Sequence, residues 1–214
     1  MMIEYDHDKM DVYLAGRLKR KHAKLLEQLK KKTKFSENEL LTLTVLFYKI
    51  NEIGPINRRL FRVILHNCLD ITDATLLDRI FIAVDTSSDN FIDMSEFICG
   101  LSIFLRGSLK EKIEYCFSVF DVVGEGRISR DQMNQLLKNC IVHTSSSEEA
   151  EESAKDLVDH LLKHSDKDND GRMSLEDFSS IVTVEPLLLE ALGTCLPTRE
   201  AADAFQVIFN RNSS

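Results

Sequence analysis

The sequence predicts an all-α chain of two lobes, each a pair of helix–loop–helix units, with a basic helix in front and further helices behind. Three observations carry that prediction: an acidic twelve-residue loop at 166–177, its recurrence along 214 residues, and apolar stripes of helical period beside the copies. Composition agrees, since a chain with three prolines and eight glycines carries few helix breakers.

In the loop, Asp166, Asp168 and Asp170 stand two apart, Gly171 follows, and a carboxylate returns at Asp177. Alternate residues of a tight loop point inward, so this spacing converges the six or seven oxygens that a hard divalent cation requires. Gly171 falls where the chain turns with positive φ. Arg172 would lend its backbone carbonyl, Ser174 fills the ninth position, and Met173 offers an apolar residue to a neighbouring loop. A merely solvated Asp-rich turn would explain three aspartates, but not all these positions at once. The pattern is that of an EF-hand calcium loop.

Aligned on the sixth and eighth positions, four copies appear, starting at Lys49, Asp85, Asp121 and Asp166. The first two steps are 36 residues each; the last is 45, because a polar insert lies between Asn139 and Lys155. A fixed period of this size marks a repeated supersecondary unit, here helix–loop–helix. Leu77, Ile80, Phe81 and Val84 form one helical face before the second loop, and Phe97, Ile98 and Leu101 resume it afterwards. Phe61, Phe97 and Phe178 share one register behind the twelfth position. Such stripes build a core and bind no cofactor.

The copies differ in their ligands. The second offers Asp85, Ser87, Asp89, Asp93 and Glu96 at positions 1, 3, 5, 9 and 12, with the Phe91 carbonyl at position 7. Asn90 replaces the usual glycine, and Asn visits the left-handed region more readily than most residues. Glu96 can clamp a calcium ion with both oxygens. Asp177, one methylene shorter, reaches less far, which weakens calcium and opens the fourth loop to magnesium. The third loop keeps Asp121, Glu125 and Gly126 but has Val123 and Gln132 at ligand positions. The first keeps Gly54 and Ile56 in register, yet offers Lys49, Ile53 and Leu60. Each pair is thus expected to join a dead hand to a live one, bridged at the eighth positions, Ile56 with Ile92 and Ile128 with Met173. The expected divisions are 1–34 (basic extension), 35–106 (first pair), 107–184 (second pair) and 185–214 (C-terminal helical segment).

Charge is segregated. Nine Lys/Arg against Glu27 alone lie between positions 17 and 34 of a chain whose formal net charge is −8. Leu18, Leu25, Leu26 and Leu29 lie at helical spacing there, so a solvated amphipathic helix, a helix folded back on the acidic lobes and an arm docking on an acidic partner are all open readings. No aromatic interleaving points to nucleic acid. The Ser/Glu run at 144–152 reads as a flexible linker. No run of about 18 apolar residues exists to span a membrane. Met2 stands where myristoylation requires glycine, so no membrane anchor is expected. The five cysteines form no Cys-x-x-Cys pair and read as reduced, mostly buried thiols. With no nucleophile–base arrangement either, the chain reads as a binding protein, not an enzyme. After Pro186, the apolar run Leu187, Leu188, Leu189, Ala191 and Leu192, then Phe205, Ile208 and Phe209, is too apolar to lie free in water. Residues 187–209 are expected to fold back over an apolar groove and compete with a target helix.

Residues 100–112, Gly-Leu-Ser-Ile-Phe-Leu-Arg-Gly-Ser-Leu-Lys-Glu-Lys, and 115–121, Tyr-Cys-Phe-Ser-Val-Phe-Asp, resemble the neuronal calcium sensor superfamily. Within it, 187–197, Leu-Leu-Leu-Glu-Ala-Leu-Gly-Thr-Cys-Leu-Pro, is similar to the calaxin branch, over roughly residues 25–200. That resemblance implies calcium sensing in the cytoplasm and cytoskeleton of a motile cilium or sperm flagellum. The implied partners are an axonemal dynein heavy chain or outer-arm docking complex subunits, close to microtubules. The branch carries ligands in its third loop, where Val123 and Gln132 stand here, and has acidic residues and glycine where Ser87 and Asn90 stand. A calcium-independent structural subunit and the regulatory subunit of an enzyme remain alternatives.

Overall fold

The computed structural model describes residues 7–141, 147–166 and 168–210, with side chains described from 13 to 207 apart from 74, 139–147 and 149. The chain is helical, with one short antiparallel strand pair among the described residues. Helices α1 (His7–Lys21) and α2 (Ala23–Lys32) precede the first pair of hands, α3 (Glu37–Ile53) with α4 (Arg58–Leu69) and α5 (Ala74–Val84) with α6 (Met94–Arg106). The second pair is α7 (Leu109–Phe120), β1 (Arg127–Ser129) and α8 (Arg130–Ile141), then α9 (Ser147–Ser165), β2 (Arg172–Ser174) and α10 (Leu175–Val184). A 3-10 turn at Pro186–Glu190 and helix α11 (Arg199–Asn210) close the described chain.

Local chemistry sets these boundaries. Ser36 with Glu39 and Ser108 with Glu111 form reciprocal capping boxes that start α3 and α7. The Asp73 carboxylate accepts the N–H groups of Thr75 and Leu76 at the start of α5. Asp93 with Glu96 starts α6, and Ser174 with Asp177 starts α10, in the same way. The ninth and twelfth positions of an ion loop are thus also the cap and third residue of the helix that leaves it.

The expected bridges are present. Ile128 pairs with Met173 in the β1–β2 ladder, and the Ile92 N–H donates to the Ile56 carbonyl at 2.8 Å. All four side chains are buried, as are Leu77, Ile80, Phe81, Val84, Phe61, Phe97 and Phe178. The first loop departs from its siblings: α3 runs on through Ile53, so Lys49 to Ile53 are helical. Glu52 is the lone carboxylate of that segment, so no cluster of like charges there opposes another turn of helix.

The basic segment is built into the first lobe. Leu18, Leu26 and Leu29 are buried, α1 and α2 pack on α3, and α2 also packs on α6. Lys19 and Lys30 pair with Glu37, and Lys34 with Glu111. The leucine stripe is therefore core, while Arg17, Arg20, Lys24, Lys31 and Lys32 remain exposed.

Two expectations need correction. Residues 147–152 of the Ser/Glu run are not a linker: they open α9, where Ala150 is buried and Glu151 pairs with Lys138 and Lys155. Residues 144–146 lie outside those described. Leu187 is 86% exposed, because the 3-10 turn carries it to the outer side, whereas Leu188, Leu189 and Ala191 pack against the core and Leu192 is buried. The side chains of Ile208 and Phe209 lie outside those described; Phe205 is buried.

Candidate metal centre

Each of the last three loops hangs between an entering and a leaving helix, and its first aspartate ties the turn. Asp166 accepts the N–H groups of Asp170 at 3.2 Å and Gly171 at 2.9 Å. Asp85 accepts those of Asp89 at 3.2 Å and Asn90 at 2.9 Å. Asp121 repeats the pattern with Gly124, Glu125 and Gly126. The sixth residues sit in the left-handed region, Asn90 at φ 69°, Gly126 at 74° and Gly171 at 71°. Asn90 thus does the work of glycine in the second loop.

In the fourth loop, the carboxylate oxygens of Asp166, Asp168 and Asp170 lie within 4.8 Å of one another. Burial works against the charge on Asp166, but the Gly171 N–H, the Asp168 side chain and the Asp170 and Asn169 N–H groups outweigh it, holding its carboxyl below the ordinary range. Three converged carboxylates with a serine hydroxyl at position 9 form a hard oxygen donor set, which fits calcium or magnesium and not a thiophilic metal. Asp177 stays local: its Oδ2 accepts the Ser174 N–H at 3.0 Å and hydroxyl at 2.6 Å.

The second loop closes differently. Glu96 and Asp85 are both buried to 7% exposure. One Glu96 oxygen accepts the Thr86 hydroxyl at 3.0 Å and the Ser87 N–H at 2.8 Å, while the other accepts the Asp93 N–H at 2.9 Å. Glu96 therefore spans from the loop's end to its beginning, a reach that Asp177 does not make. Ser87 donates its hydroxyl to Asp85 at 3.3 Å, and Asp89 accepts the Phe91 N–H at 2.8 Å. In the third loop Gln132 accepts the Ser129 N–H at 2.7 Å, keeping the cap but not the charge.

Sequence reasoning missed three side chains around these loops. Thr86 holds Glu96, and the arginines Arg127 and Arg172 reach across the β1–β2 pair to carboxylates of the opposite loop. Thr86 falls outside the ligand positions, and the arginines fall at position 7, where only a carbonyl is sought.

Among the described residues, the open groove between α7 and α10, lined by Lys110, Glu114, Leu175 and Ser179 among others, contains no histidine or cysteine. Cys116 and Cys195 are buried side by side, Sγ to Sγ 3.3 Å, and burial pushes the Cys195 thiol well up. Such thiols are unreactive. The expectation of mostly buried thiols holds for these two; Cys99 is half-buried and Cys68 is exposed on α4.

Residues 110–183 match the EF-hand domain pair family. The chain is 42% identical to calaxin from Xenopus laevis over 193 residues, 87% of this chain and 92% of the relative. It is 40% identical to calaxin from Homo sapiens over 196 residues, 88% and 93% respectively. The chain belongs to the calaxin family. The calcium-binding protein NCSA from Dictyostelium discoideum is more distant, 36% identical over 124 residues, 58% of this chain and 64% of the relative. Membership of the calaxin family, together with the acid-lined loops, makes the chain a calcium-binding regulatory protein and not an enzyme. No described helix is long and apolar enough to cross a membrane.

Proposed function

We propose that this calaxin-family chain is a calcium-responsive adaptor of the axonemal outer dynein arm or its docking complex, modulating ciliary or flagellar motility. Calcium would bind the second loop through Asp85, Ser87, Asp89, Phe91, Asp93 and Glu96. It would bind the fourth through Asp166, Asp168, Asp170, Arg172, Ser174 and Asp177, where magnesium competes. Residues 35–106 and 107–184 act as paired lobes on this reading. The observation that carries the regulatory part is the place of Glu96, which is both the twelfth residue of the second loop and the third residue of α6. An ion that pulls on Glu96 pulls on the start of that helix, the linkage by which EF-hand sensors open an apolar groove.

The C-terminal segment supplies the other half of the device. Leu192, Cys195 and Leu196 are buried beyond the 3-10 turn, which packs on α7 and α10, while α11 packs on α3, α4 and α6. One segment thereby straps the helices of both pairs. Inside the first pair the apolar side chains of Phe61, Leu65, Val84, Phe97 and Phe104 leave a cavity of only about 10 Å³. A target helix would have to displace α11 or open that interior.

The loss of ligands at Val123 and Gln132 favours a second reading, a structural component indifferent to calcium. Calorimetric titration with calcium in a physiological magnesium background, with rebinding to arm-depleted axonemes, separates the two. Calcium uptake that alters rebinding supports the sensor. Rebinding without calcium uptake establishes the scaffold, and absence of both overturns the axonemal reading.

A further inference from the structure

The arginines at the seventh positions of the third and fourth loops exchange partners across the β1–β2 pair. Arg127 carries its guanidinium to Asp170, the fifth residue of the fourth loop, and Arg172 brings Nη1 to 3.8 Å from Glu125, the fifth residue of the third. The ladder register, with Arg127 opposite Ser174 and Ser129 opposite Arg172, brings each arginine beside the opposite loop.

The exchange is symmetric in geometry and unequal in consequence. Glu125 belongs to a loop whose third and twelfth positions are Val123 and Gln132, so Arg172 neutralises a carboxylate with no ion to hold. Asp170 is one of the three carboxylates that converge in the fourth loop. Its Oδ1 accepts the Arg172 N–H at 2.8 Å, and Arg127 holds its Oδ2. Both oxygens are committed before any ion arrives.

We propose that Arg127 is a resident cation of the fourth loop, which a divalent ion must displace from Asp170, so that the degenerate third loop sets the affinity of its neighbour. This deepens the reading of the fourth loop as an ion site and rests on it. Removing the guanidinium frees one ligand oxygen and takes away a positive charge that repels the incoming ion. The pair is partly exposed, with side chains 48% and 27% accessible, so solvent screens the effect. Loss of Arg127 should tighten calcium by about fivefold at low salt. The gain should shrink as the screening length shortens from about 10 Å at 0.1 M to about 3 Å at 1 M salt.

Arg130 provides the control. It lies three residues further along and pairs with Asp159 of α9, which is no loop ligand. The experiment is calorimetric titration of the full chain with calcium chloride in a Glu96→Gln background, so that the fourth loop alone reports. Arg127→Gln and Arg130→Gln are each compared with that parent at low and high salt. A gain confined to Arg127→Gln and reduced by salt is the expected result. An unchanged affinity for Arg127→Gln, or an equal gain for Arg130→Gln, overturns the proposal. If neither the parent nor Arg127→Gln takes up calcium, the reading of the fourth loop as an ion site fails instead.

Discussion

Arg106 grips Glu39 with both arms of its guanidinium, Nη2 to Oε1 at 2.6 Å and Nη1 to Oε2 at 3.1 Å. The same side chain donates to the Lys34 carbonyl at 3.1 Å and to Gln206 of α11 at 3.1 Å, and lies over the ring of Phe35, 5.0 Å from its centroid. One residue at the end of α6 thus ties the basic segment, the start of α3 and the C-terminal helix together.

That pair makes stability depend on pH. The Arg106 hydrogen bonds outweigh the cost of burial and lower the Glu39 carboxyl from its ordinary 4.5 to about 2. An unfolded chain takes up the proton first, so the stabilisation is complete above about pH 4.5 and lost as pH falls towards 2. Arg106→Ala should cost about 1–3 kcal/mol at pH 7. The difference from the parent should shrink by pH 3 and level off near pH 2 at what the contacts to Lys34, Gln206 and Phe35 contribute. Urea unfolding at the three pH values checks this, and a cost independent of pH would show that Arg106 acts by packing alone.

The fold was legible because its information is periodic. Four loops in register and helical stripes of Leu, Ile and Phe each repeat a signal that no single residue carries. The role of the basic segment was not legible, because nine cations outweigh four leucines in any local reading, while Leu18, Leu26 and Leu29 find their partners only in tertiary structure. The twelve candidate ligands could be read from spacing. Arg127 could not, since its partner Asp170 is 43 residues away and the contact exists only once the strands pair. Residues 147–152 misled because Ser and Glu suit both a solvated linker and the start of a helix, where Glu favours the positive end of the dipole.

The buried leucines set a limit on how the basic segment can be tested. Deleting 1–34 would remove Leu18, Leu26 and Leu29 from the core, so the deletion should unfold the first lobe rather than merely discharge it. Leu29→Ala alone should cost about 2–5 kcal/mol, as large-to-small changes at fully buried sites do. Replacing Arg17, Arg20, Lys24, Lys31 and Lys32 together by glutamine should leave the thermal midpoint nearly unchanged. Binding to arm-depleted axonemes should then weaken at low salt and converge on the parent at high salt. Equal binding at every salt concentration would mean that the exposed cations only solvate the helices.

Removing α11 should uncover apolar surface without dissolving the fold. The helix contributes Ala202 and Phe205 to the interface with α3, α4 and α6, but the hands retain their own core. A chain ending at Pro197 should bind more of an environment-sensitive apolar dye, with helical content reduced only by the missing segment. It should also bind a target helix more tightly, since no internal helix competes. Unchanged dye fluorescence in a folded truncation would mean that α11 covers no groove.

The twelfth residues of the second and fourth loops differ by one methylene, and that difference can be exchanged. Glu96 reaches back to Thr86 and Ser87, whereas the Asp177 carboxylate, among the described residues, bonds to Ser174 alone. Replacing Asp177 by Glu should let the fourth loop close in the manner of the second and tighten calcium by about tenfold, while magnesium, which favours fewer and nearer oxygens, gains little. Glu96→Gln should do the reverse in the second loop, abolishing its calcium while leaving the fourth nearly intact. The parent should take up at most two ions, Glu96→Gln one, and Asp177→Glu two with the sites drawn closer in affinity. Calorimetric stoichiometry and competition with magnesium read all three. A third ion in the parent would mean that the third loop binds despite Val123 and Gln132, and an unaltered calcium-to-magnesium preference in Asp177→Glu would mean that the twelfth side chain does not set the selectivity of this site.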